Sequence, residues 1–132
     1  MPPPTGKNDQ RDARKAALEA EADRAGSLSL PQLAAELMTK AFTATELKVV
    51  DGRYVSLGQL VTRFAPGNSH FDEELFQRFT ELVCEGLQVL EHASLVRGPV
   101  ATMGGDGYAL TRLGRAALEQ GAVDRIIAGG SL

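Results

Sequence analysis

Residues 69–121 read SHFDEELFQRFTELVCEGLQVLEHASLVRGPVATMGGDGYALTRLGRAALEQG, and the fold is decided there. Phe71, Leu75, Phe76, Phe79, Leu82, Val83, Leu87 and Leu90 recur at helical spacing, predicting one long helix that runs to about His92. Ser69 can cap it, with Asp72 and Glu73 placed to complement the helix dipole. Gly86 inside it marks a close helix crossing or a mild kink. Ser94-Leu95-Val96-Arg97 then reads as a strand, which Pro99 confines to an edge or an irregular start. Met103-Gly104-Gly105-Asp106-Gly107 is a turn, and Tyr108-Ala109-Leu110 returns as a second strand. Thr111 caps a closing helix containing Leu113, Ala116, Ala117 and Gln120, which Gly121 ends or bends before Val123, Ile126 and Ile127.

Upstream, Ser29-Leu30-Pro31-Gln32 fits a capping box with proline in the first turn. Leu30, Leu33, Ala34, Leu37, Met38, Ala41 and Phe42 follow as one apolar helical face, ending near Thr43–Glu46. Asp51-Gly52, between Lys48-Val49-Val50 and Tyr54-Val55, is a hairpin signal, because a type I′ turn needs positive φ at both central residues. Ser56-Leu57-Gly58-Gln59 is a second capping box. It opens a short helix with Leu57, Leu60, Val61 and Phe64 on one side, stopped by Pro66-Gly67-Asn68. Residues 1–26 form a disordered or loosely helical arm, because Leu18 is the one large apolar residue between 9 and 25 and offers no stripe to pack. The division expected is therefore an arm at 1–26, a domain at 27–128 and a flexible tail at 129–132.

This order of elements, mainly α with a small β-hairpin, is the winged helix-turn-helix plan. Leu87-Gln88-Val89-Leu90-Glu91-His92-Ala93-Ser94-Leu95-Val96-Arg97-Gly98 resembles the junction of third helix and wing in bacterial regulators. Tyr108-Ala109-Leu110-Thr111-Arg112-Leu113-Gly114-Arg115 resembles the strand-to-helix close of the multiple-antibiotic-resistance and phenolic-acid-responsive regulator families. The match covers about half the domain, with the rest alike in element order alone. The resemblance implies a dimeric transcriptional regulator that binds double-stranded DNA, with the third helix in the major groove and the wing on the backbone.

Charge points elsewhere. The 132 residues carry a formal −3, and the arm, with five bases and five acids, is neutral, so the domain holds all of it. Outward positions of the long helix include Asp72, Glu73, Glu74, Glu81, Glu85 and Glu91 against Arg78 alone. A carboxylate facing a phosphate opposes binding, since affinity for nucleic acid comes largely from cations that release counterions. A winged helix that docks its acidic long helix on a basic protein partner, as a subunit or adaptor of a larger assembly, is the second reading.

The residues able to touch nucleic acid are Arg63 on the second helix, Asn68, Ser69 and His70 in the turn, Gln77 and Arg78 on the long helix, and Arg97 and Arg112 about the wing. Asn and Gln read adenine edges, and Arg reads guanine or clamps phosphate. Against these stand a capped loop, a Glu74–Arg78 pair across one helical turn, and ordinary exposed arginines. His70 and His92 do not make a metal site, and a single cysteine, Cys84, allows no internal disulfide. Cys84 is expected to be partly buried, with Glu81 and Glu85 raising its pKa. No catalytic arrangement stands out, so neither an enzyme nor a cofactor is expected. No apolar segment follows the N-terminal charges and no run reaches membrane-span length, which points to a cytoplasmic protein without membrane association. The apolar faces at 29–46 and 112–128 exceed what one small domain needs, and a homodimer contact is expected there.

Overall fold

A computed structural model describes residues 7–42, 54–65, 72–102 and 105–132. Its elements in chain order are α1 (Lys7–Gly26), α2 (Leu30–Ala41), β1 (Val55–Ser56), α3 (Leu57–Phe64), α4 (Glu73–His92), β2 (Val96–Thr102), β3 (Gly105–Leu110), α5 (Arg112–Gln120) and α6 (Val123–Ile127). The fold is mainly helical with one small antiparallel sheet, in the strand order β1-β3-β2.

Both capping boxes form. Ser29 accepts from the Gln32 backbone and Ser56 from that of Gln59, and each glutamine side chain accepts in turn from its serine's backbone N–H. Two donors at each helix start are thereby satisfied. α2 ends earlier than the sequence suggests, at Ala41, with Phe42 as C-cap. The cap of α4 is Asp72, whose carboxylate accepts from Leu75 N at 3.1 Å; Ser69 lies outside the described residues.

α2, α3 and α4 meet at the core. Leu33, Leu37, Met38, Leu60, Val61, Phe79, Val83, Leu87 and Leu90 are all buried, and Phe64 packs edge-to-face on Phe79 with centroids 6.5 Å apart. Removing a side chain such as Leu37 from this cluster costs about 2–5 kcal/mol. Gly86 is the close crossing expected of it: a Cβ there would lie 2.9 Å from Leu37 Cδ2.

α4 closes with paired 6→1 and 5→2 bonds, from Leu95 N to Leu90 O at 2.9 Å and from Ser94 N to Glu91 O at 3.0 Å, which place Ser94 at φ 61°. That reversal sends the chain directly into β2. β2 is an edge strand, so Pro99 removes no ladder donor from the sheet's interior, and the register slips between Arg97 and Val100. β3 is central, with Val96 opposite Leu110 on one side and Val55 opposite Tyr108 on the other. Val55 therefore pairs across more than fifty residues. The local hairpin expected about Asp51-Gly52 falls on residues outside those described.

Thr111 joins the β2–β3 hairpin to α5. Its hydroxyl accepts from Gly114 N at 2.9 Å and approaches Ser94 O at 2.6 Å, while its own N–H donates to Leu95 O at 3.1 Å. Gly114 sits against that same carbonyl: a Cβ on it would fall 1.9 Å from Leu95 O. The Leu-Thr-x-x-Gly pattern is thus a packing device, in which the threonine caps the helix and the glycine lets it approach the start of the wing. α6 packs on α2. Of the apolar faces at 29–46 and 112–128, Leu33, Leu37, Val123 and Ile126 are buried within the chain, while Leu30 is half exposed and residues 43–46 lie outside those described.

The arm differs from the loose helix expected of it. Ala22 and Ala25 are fully buried and Leu18 packs at the edge of the core. α1 and α2 form an antiparallel hairpin whose outer seam is ionic: Arg24 binds both Glu21 and Glu36, and Lys40 Nζ lies 2.8 Å from Glu36. α1 packs against α4, and the ionic seam ties it to α2. No described helix is long and apolar enough to cross a membrane.

Candidate interaction surface on the long helix and wing

α4 buries Leu75, Phe79, Val83, Gly86, Leu87 and Leu90. The helical period consequently turns Glu74, Gln77, Glu81, Cys84, Glu85 and Gln88 outward, and all six are exposed. No lysine or arginine is among them. Arg78, at the border of this stripe, donates to Asp23 of α1 at 2.6 Å. The Glu74–Arg78 pair expected across one turn is replaced by this longer-range one, because docking of α1 brings an acid to the arginine's side of α4. At the helix start Asp72 lies 3.3 Å from Lys15, and its carboxyl is held below its usual range, first by the Leu75 N–H and then by Lys15.

The β2–β3 hairpin extends the acidic stripe. Cys84 is solvent-exposed yet partly desolvated, and its thiol pKa is pushed up first by that desolvation, then by Asp106 and Glu81. The expected contributor Glu85 is replaced by Asp106, from the start of β3, which only the tertiary fold brings beside α4. Tyr108 is buried, and its hydroxyl pKa is raised by desolvation, then by Glu91, Cys84 and Asp106. Glu81, Glu91 and Asp106 thus share one field around Cys84 and Tyr108. A thiolate is disfavoured in that field, which argues against a redox-active cysteine.

Five of the eight expected nucleic-acid contacts lie among the described residues. Arg63 is half-buried and its Nη1 donates to Ala41 O at 2.8 Å, tying α3 to the end of α2. This bond satisfies an orphan helix-terminal carbonyl. Asn68, Ser69 and His70 lie outside the described residues. Gln77 is exposed among acids, and Arg78 is engaged by Asp23. Arg97 is exposed on β2, 5.6 Å from the centroid of the Tyr54 ring. Arg97 faces Ala109 across the ladder, and exposed Arg112 lies three residues further along, so these two share the base of the wing. Among the described residues, no group of three His, Cys, Asp or Glu is arranged to hold a metal ion.

Asp23 and Lys15 were invisible as partners of α4 in the sequence, separated from Arg78 and Asp72 by more than fifty positions. Asp106 was visible as a wing acid, but its proximity to Cys84 was not. Comparison of the chain with protein-family models, curated proteins and solved structures found no match.

Proposed function

We propose that this chain is a winged-helix recognition module that binds a protein partner through a basic surface. The observation that carries the reading is the outward stripe of α4, which presents Glu74, Glu81 and Glu85 and no cation, with Asp106 of the wing alongside. The winged-helix assignment is supported by the element order and by the strand order β1-β3-β2. In such a fold α4 is the helix that would enter a major groove, where carboxylates meet phosphates. A lysine- or arginine-rich segment is the complementary occupant, guided by charge and held by contacts with Gln77 and Gln88.

Duplex DNA engaged through the wing is the second reading. One observation favours it: Arg97 and Arg112 are exposed together at the base of the hairpin. Fluorescence anisotropy separates the two. The probes are a labelled lysine-rich helical peptide and mixed-sequence duplex DNA, each at about 50 mM and about 200 mM salt. The peptide should bind and the Glu81→Lys/Glu85→Lys variant should lose it, with DNA unbound at both salts. DNA binding at low salt that weakens steeply with added salt, together with no peptide binding, would overturn the protein-recognition reading.

A further inference from the structure

The inner face of α1 changes character along its length. Ala25, Ala22 and Leu18 continue at helical spacing into Lys15, Arg14 and Arg11, so an apolar end gives way to a basic one. The apolar end is fixed: Ala22 and Ala25 are fully buried, and Arg24 and Lys40 close the seam with Glu21 and Glu36. The basic end is not. Beyond the half-buried Leu18, every described residue from Gln10 to Ala17 is exposed, and the contact with α4 is the Lys15–Asp72 pair at 3.3 Å. Opposite it stands the acidic start of α4, where Asp72 is followed by Glu73 and Glu74. Lys15 pairs with Asp72 and Asp23 with Arg78, so α1 and α4 run in the same direction and the basic end of one covers the acidic end of the other.

We propose that the first half of α1 is a releasable strap, closed over the start of α4 by charge and hinged where Leu18 meets the buried alanines. An exposed ion pair is screened by salt, whereas the burial of Ala22 and Ala25 is not, so the strap opens while the C-terminal half of α1 stays docked. The strap also occupies the position that a basic partner helix would take at this end of α4. That consequence rests on the acidic-face reading; the strap itself does not.

Hydrogen exchange on the full chain tests the strap without any partner. Lys15→Glu removes the attraction, and Asp72→Asn does the same while keeping a side-chain oxygen for the Leu75 N–H. Amides of residues 11–19 should exchange about two- to five-fold faster in either variant, the double variant adding nothing, and about 500 mM salt should bring wild type to the same rate. Amides of α4 and of residues 21–26 should be unchanged. Equal exchange of 11–19 in wild type and Lys15→Glu at low salt would overturn the strap, as would a parallel loss of protection across α4. In the peptide assay Lys15→Glu should bind the lysine-rich probe more tightly than wild type. If the probe binds neither protein, the acidic-face reading falls and exchange still judges the strap.

Discussion

Gly114→Ala isolates the join between wing and closing helix. The added methyl would sit 1.9 Å from Leu95 O and 2.9 Å from Leu95 C, with Met38 Cε at 3.2 Å. An unstrained carbon–oxygen contact is about 3.3 Å, so α5 and the start of β2 must separate by roughly 1.4 Å. Neither side yields cheaply. Leu95 O accepts from Thr111 N at 3.1 Å, Leu95 is fully buried, and Thr111 Oγ1 is held by Gly114 N at 2.9 Å. Overpacking costs about 1–3 kcal/mol and each hydrogen bond weakened about 1 kcal/mol. Alanine returns about 1 kcal/mol through its better helix propensity. The net expectation is a loss of about 2–4 kcal/mol, a large share of a small domain's stability. Gly58→Ala is the internal control, since a Cβ there meets nothing within 4 Å, and it should be neutral or gain up to about 1 kcal/mol. Urea unfolding followed by circular dichroism reads both, as a shift in midpoint at constant slope. A Gly114→Ala protein as stable as Gly58→Ala would refute the claim that the glycine is required by contact with the wing.

Two further outcomes follow from named contacts. Thr111→Val should lose about 1–2 kcal/mol in the same unfolding assay, because the cap of α5 and the bond to the Ser94 carbonyl vanish together, while Thr111→Ser should retain most of that stability. Glu36 has its carboxyl pKa lowered from 4.5 to about 2, first by its bond to Arg24 and then by Lys40. Its folded pKa is depressed, so its contribution is complete above about pH 4.5 and is lost as pH falls towards 2. Screening at this solvent-facing seam limits the effect to about 1 kcal/mol. Wild type should therefore lose about that much more stability than Glu36→Gln between pH 5 and pH 3, measured by urea midpoints, and equal losses would contradict the ionic seam.

How much of this was legible in sequence depended on the range of the interactions. The two capping boxes, the Thr111 cap and the turn at Gly121 are each set within a few residues of chain, and the sequence displays each. Long apolar periods marked α2 and α4 for the same reason, since burial on one face writes a repeat into a helix. The candidate surface was half legible: helical period alone turned Glu81 and Glu85 outward. What the period could not supply was the cation ledger. Whether Arg78 faces solvent or an acid depends on where α1 docks, and α1 docks through alanines too small to stand out as a stripe, helped by ionic contacts to α2 and α4.

The sequence by itself determined the helix starts capped by Ser29, Ser56 and Thr111, the β2–β3 hairpin, and the net acidity of the long helix, because each follows from neighbours in the chain. Only the tertiary structure decided that Val55 pairs with Tyr108, that Arg63 bonds the end of α2, that Asp23 takes Arg78, and that Asp106 joins the acidic stripe. The reason is physical. Most of these contacts join residues tens of positions apart, where no local rule of spacing or propensity acts, and they form only after the helices have buried their apolar faces.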